Sequence, residues 1–227
     1  MIGCDVSNWS VVPSAEQVQE LKALGIEFAV VGTSYGTKSA GQLAAFLDGG
    51  VTVAEYQFPQ ALRATLRPWW VDAEQDAATL DLIRNALRIG AQGVYTRRGW
   101  ALDNYPDWDC RAEYPEAHLW DARYVHGDGP CRIQFAVENG GDIKAAIASE
   151  LAWLSPFKPY WGFTEAAITQ WHNSVTIAGV NVDLNVKEDD VTQQDKDEIK
   201  QDIKNYLDMK LIQLIAYLQQ TGVKIAP

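Results

Sequence analysis

The chain has 227 residues, 47% of them hydrophobic, with a formal net charge of −11 at pH 7 and a pI near 4.7. That length can bury one good core with an appendage. So acidic a balance argues against nucleic acid, whose phosphates need a basic face, and against an anionic membrane surface.

Ile2–Val6 reads as a short strand. Ser14-Ala15-Glu16-Gln17 has the form of a capping box, and Val18, Leu21 and Leu24 supply a helical stripe that Gly25 ends. Residues 28–31 predict a second, buried strand, 43–47 a short helix closed by Gly49-Gly50, and 52–58 a strand. A strand over 69–74 follows, then a helix from about Asp76 to Ile89 with Leu80, Ile83 and Leu87 on one face. Residues 93–96, 118–122 and 133–137 read as further strands, 145–154 as a short amphipathic helix, and 166–171 and 180–184 as the last strands.

This alternation predicts a mostly parallel α/β architecture. About eight strands in so few residues imply an irregular (β/α) barrel with some helices missing, occupying residues 1–186. Residues 187–227 read as a charged linker and a C-terminal helical appendage. Its apolar stripe is Ile203, Leu207, Leu211, Leu214 and Leu218, and Lys204, Asp208 and Lys210 keep it from being a membrane span. Such a helix either packs on the barrel, self-associates through residues 199–218 or links to a partner.

The stretch Trp69-Trp70-Val71-Asp72-Ala73-Glu74 sets two carboxylates two positions apart among aromatic and apolar neighbours. In a strand, i and i+2 face the same side. Two acids so held push each other's pKa values apart, which is the equipment for cleaving a glycosidic bond. The same spacing is also common as a plain surface pair at a strand end. In barrels, chemistry sits at the carboxyl ends of strands, and Asp5, Asp72, Glu74 and Asp183 all fall at or near such ends in three separate strands.

His118, His126 and His172 are the only histidines and none has the i, i+4 spacing of a metal site, so neither metal nor cofactor is expected. Cys4 reads as a buried thiol, while Cys110 and Cys131 could pair only in an oxidising compartment. Met1 leads directly into the first strand without a leader-type segment.

Several ordered pieces resemble glycoside hydrolase family 25, the muramidase-type lysozymes of phages and bacteria. Gly3-Cys4-Asp5-Val6-Ser7-Asn8-Trp9 resembles that family's Gly-x-Asp-Val-Ser-x-Trp opening, and residues 25–31 its second-strand entry. Tyr56-Gln57-Phe58 is similar to its Tyr-His-Phe strand and Asp72-Ala73-Glu74 to its Asp-x-Glu signature. The segment 119–124, Thr169-Gln170-Trp171 and the segment 179–185 resemble its Trp-x-Ala-x-Tyr, Gln-Trp and Val-Asp-x-Asn motifs. The resemblance implies a peptidoglycan hydrolase acting on the wall outside the membrane, reaching it by release at lysis or after losing a leader. Glu74 would be the general acid at the bond between N-acetylmuramic acid and N-acetylglucosamine. Asp72 would stay ionised to support the substrate's acetamido group or the oxocarbenium charge, with Asp5 and Asp183 tuning the pair. A protein carboxylate and the acetamido oxygen both stay open as nucleophile. Tyr56, Trp120, Tyr124 and Trp171 would line the sugar cleft, or else fill the barrel core.

The chain departs from that pattern at Tyr35, where the family usually carries Glu, between Phe58 and Asp72, where room remains for one short helix at most, and in an insert between Tyr124 and Ile168. Two other readings compete. A non-catalytic relative would bind wall glycan or build a phage particle. Gly32-Thr33-Ser34-Tyr35-Gly36 also fits a Gly-x-Ser-x-Gly elbow, with Asp121 and His172 following in triad order, which would make an esterase.

Overall fold

The computed structural model describes residues 1–74, 77–124 and 132–187. The strands β1 (Ile2–Val6), β2 (Ile26–Gly32), β3 (Thr52–Gln57), β4 (Trp69–Asp72), β5 (Gly93–Thr96), β6 (His118–Ala122), β7 (Ile168–Ile177) and β8 (Val180–Lys187) close into one barrel in chain order. Pairing is parallel from β1 to β7, and β8 runs antiparallel to both β7 and β1, sealing the barrel. The architecture is the expected α/β barrel, its sheet mostly parallel with the single antiparallel strand β8. Ala178 and Gly179, both at positive φ, turn β7 into β8 in the manner favoured for tight hairpins.

Seven helices stand among the described residues: α1 (Ala15–Ala23), α2 (Ser39–Asp48), α3 (Leu80–Arg88), α4 (Arg98–Asn104), α5 (Cys110–Glu113), α6 (Arg132–Glu138) and α7 (Ile143–Leu151). None connects β3 to β4. The expected capping box starts α1, with Ser14 accepting from Gln17 N–H and the Gln17 side chain accepting from Ser14 N–H. Helix α3 begins later than the pattern implied, at a Thr79 cap. The expected strand over 133–137 is instead helix α6. Ile133 and Ala136, three apart, face the core while Phe135 faces solvent, a helical period hidden in a short apolar run.

Strand alternation divides the core. Cys4, Val6, Val31, Val53, Leu184 and Val186 face outward into a layer shared with Leu21 of α1, Phe46 of α2, Ile133 of α6 and Ile147 of α7. Trp69, Val71, Val94 and Leu119 face a second outer layer with Ile83 of α3, Ala101 of α4 and Cys110 of α5. Phe28, Val30, Trp70, Trp120 and Ile168 fill the barrel itself. No described helix is long and apolar enough to cross a membrane. The C-terminal stripe and its expected self-association, Cys131 and His126 lie outside the described residues.

Candidate active site

The inward positions nearest the carboxyl ends of the parallel strands are polar. Asp5 on β1 stands opposite Asp183 on β8, and Asn185 follows Asp183 by two, on the same face. Gln170 of β7 joins the two acids: its Nε2 donates to Asp183 Oδ2 at 2.8 Å and to Asp5 Oδ2 at 3.4 Å. Its Oε1 accepts from the hydroxyls of Tyr95 at 2.5 Å and Tyr124 at 3.3 Å. Asn185 Nδ2 donates to Asp5 Oδ2 at 2.8 Å, and its Oδ1 accepts from Trp120 Nε1 at 2.8 Å. Ser174 N–H donates to Asp183 Oδ1 at 2.6 Å. Both amide orientations are thereby fixed by their neighbours, and the carboxylates are held in place.

The charges decide the protonation. Burial pushes the Asp5 carboxyl well above the usual carboxylate range, and the Asp183 and Asp72 charges add to the rise while the Asn185 hydrogen bond opposes it. Asp183 is raised by burial too, against the Ser174 N–H, His172 and Gln170. Two acids this close do not both ionise freely.

Glu74 lies two residues past the end of β4, where its backbone N–H donates to Asp72 Oδ1 at 2.9 Å. Its carboxyl is raised by burial, offset by Arg97, whose Nε donates to Oε1 at 3.0 Å, and raised further by Asp121. Tyr95 feels the charges of Glu74, Asp5 and Asp72, and Tyr124 those of Glu74, Asp183 and Asp5. Burial first, then those charges, pushes Tyr124 up to about 12. Gln170 links Asp5 and Asp183 to both phenols, and Asp72 stands beside Tyr95 where β4 pairs with β5. Among the described residues, no group of three or more His, Cys, Asp or Glu is arranged to hold a metal ion.

The aromatic expectations divide. Tyr124 joins the acids through Gln170, and the charges of Asp5, Asp72 and Asp183 bear on Tyr56. Trp120 is buried beneath them, edge-on to Tyr56, Trp70 and Tyr95, so it forms the floor rather than a wall. Trp171 does not line the cleft. Gln170 takes the inward position, so Trp171 points out and is fully buried in the layer beneath the helices.

The esterase residues do not meet in a triad. Ser34 Oγ accepts from Phe58 N–H at 2.5 Å, the His172 ring faces Glu150 at 3.7 Å and the Asn173 carbonyl, and Asp121 binds Tyr160 and Arg123. Sequence reading missed Tyr95, Arg97, Gln170 and Asn185 as site residues. Asn185 was accessible from its spacing to Asp183, and Gln170 from its place in a quoted motif. Tyr95 and Arg97 carry no local signal.

No protein-family model and no curated protein matches the sequence. The fold matches the crystal structure of the spore cortex lytic enzyme SleM of Clostridium perfringens with a TM-score of 0.52 at 14% identity. The match covers 82% of this chain and 66% of that one, so the chain spans just under two thirds of the enzyme it resembles. The two share a barrel fold.

Proposed function

We propose that the protein is a glycosidase of bacterial cell-wall peptidoglycan, cleaving the β-1,4 bond between N-acetylmuramic acid and N-acetylglucosamine. The observation that carries this reading is Glu74: a carboxyl whose burial favours the protonated form, just past the end of β4, with its backbone N–H on Asp72 and the Asp121 charge adding to the rise. The fold likeness to a spore cortex lytic enzyme supports the same substrate class.

Glu74 would hand its proton to the bridging oxygen as that bond breaks. Arg97 then stabilises the carboxylate left behind, and the carboxylate can take a proton from the incoming water. Asp72, tied to Glu74 through the 2.9 Å backbone contact, supports the positive charge developing at the anomeric carbon or orients the acetamido group that attacks it. Asp5 and Asp183, clamped by Gln170 and not both ionised, would tune the charge that Asp72 and Glu74 feel.

The test is Glu74→Gln, assayed for release of reducing ends from purified walls. Loss of a positioned general acid lowers the rate by about 10²–10⁴-fold, while the thermal melt stays that of a folded barrel. A Glu74→Gln protein that lyses walls at the normal rate rejects the mechanism. A wild type that pellets with walls but never cuts them leaves only binding.

A further inference from the structure

The ring system that begins at the acids does not stop there. Tyr56, raised by burial and by the charges of Asp5, Asp72 and Asp183, has its ring over Gly32, where a Cβ would come within 2.6 Å of Tyr56 Cζ. The Phe58 ring stands edge-on to Tyr56 at 6.2 Å, and Tyr35 lies 5.3 Å from Phe58 with the planes 35° apart. Tyr35 is 48% exposed. Beside it, Gly36 lies so close to the loop after β1 that a Cβ there would fall 1.8 Å from Asn8 Oδ1. The next residue on that loop is Trp9, 91% exposed.

The Trp9 loop is not held loosely. Gln42 of α2, itself fully buried, donates Nε2 to the carbonyls of Ser7 at 2.9 Å, Ser10 at 3.3 Å and Val11 at 3.3 Å. Lys38 Nζ reaches the Ser10 carbonyl at 3.3 Å. A firmly fixed loop thus presents an indole to water, where it gains nothing from packing. A run of aromatic rings, Tyr56, Phe58 and Tyr35, leads away from the acids past the ends of β3 and β2, and Trp9 stands on the adjoining loop after β1.

We propose that Trp9, Tyr35 and Phe58 form a shelf that binds a β-linked N-acetylhexosamine chain on the β1–β3 side of the acids. This proposal rests on the glycosidase reading above. β-Linked pyranose rings lie flat and present C–H faces, the surface that an indole or phenol ring stacks on. A chain extended from the cutting point on this side would pass from Tyr56 over Phe58 and Tyr35 to Trp9.

The experiment uses the full chain carrying Glu74→Gln, so that binding is read without cutting. Affinity is measured for soluble tetramers of N-acetylglucosamine, by tryptophan fluorescence and calorimetry, and for purified peptidoglycan, by pelleting. Adding Trp9→Ala with Tyr35→Ala is expected to weaken both by about tenfold or more, the loss that a good aromatic contact gives. Trp9→Phe should retain most of the affinity. Unchanged binding to both ligands overturns the shelf. So does a wild-type dimer that Trp9→Ala splits while glycan binding holds, which would assign this face to a second copy. The glycosidase reading is tested apart, with Glu74 intact. A chain that needs the shelf to bind yet releases no reducing ends keeps the shelf and loses the enzyme, whereas one that cuts walls normally without the shelf does the reverse.

Discussion

At the scale of single residues, the site is a contest between burial and countercharge. Glu74 is raised by burial and pulled back by Arg97. A general acid works only while protonated, so activity should fall as pH rises through the Glu74 pKa. Arg97→Ala removes the opposing cation. It should move the alkaline limb of kcat/KM to higher pH, and a limb that stays in place or moves down would show that Glu74 is not the group being titrated. Asp5 makes the complementary argument about stability. Its folded-state pKa is raised, so the folded chain holds a proton that the unfolded chain has released. Stability is therefore fully present below the unfolded pKa and declines as pH rises through the folded value. Only Oδ2 of Asp5 carries the bonds from Asn185 and Gln170, so an asparagine can keep both acceptor contacts. Asp5→Asn should raise Tm at pH 7 by about 2–4 °C, the shift that a change near 1 kcal/mol gives at this size, and should flatten the pH dependence of Tm. A lower Tm at pH 7 would mean that the carboxylate stabilises the fold.

At the scale of elements, legibility followed periodicity. The first five strands and the capped start of α1 were readable because alternation, glycine stops and the Ser14–Gln17 box all point the same way. Residues 133–137 were misread because five apolar-rich positions satisfy both periods, and only the burial of Ile133 and Ala136 separates them. Helices α4 and α5 have seven and four residues, too few for a stripe to emerge. The Gln-Trp motif points Trp171 to the cleft, whereas strict alternation from the inward Gln170 turns it outward, as the structure has it. Strand pairing is what no local pattern carries: Asp5 meets Asp183 only because β8 returns antiparallel beside β1. The brace on the loop after β1 was likewise invisible, since Gln42 reads as one more polar residue in a helix. Gln42→Ala should lower stability in urea unfolding by about 1–3 kcal/mol, the range for leaving buried polar groups unpaired. A change under about 0.5 kcal/mol would show that the loop holds its shape without α2.

For the whole molecule, the decisive quantities are closure and charge. Closing the barrel with one antiparallel strand brings Met1 and Lys187 together, Lys187 N–H donating to the Met1 carbonyl at 3.0 Å. It also leaves the acids from the first and last strands side by side. Around them the chain carries a net charge of −11. Peptidoglycan bearing stem-peptide carboxylates is itself anionic, so at low ionic strength the whole protein is repelled by the polymer that its cleft would cut. Raising salt shortens the Debye length from about 30 Å at 0.01 M to about 8 Å at 0.15 M, which removes most of that long-range repulsion. Contacts made directly between the protein and a bound sugar act over distances shorter than the Debye length at either salt, so the same salt leaves them nearly unchanged. Hydrolysis of intact walls should therefore rise several-fold between those two salt concentrations, with the change appearing in KM rather than kcat. Binding of neutral N-acetylglucosamine tetramers should stay constant across the same range. A wall-cutting rate that falls with added salt would place the attraction in charge instead of in the aromatic track, and would point to a cationic contact outside the acid rim.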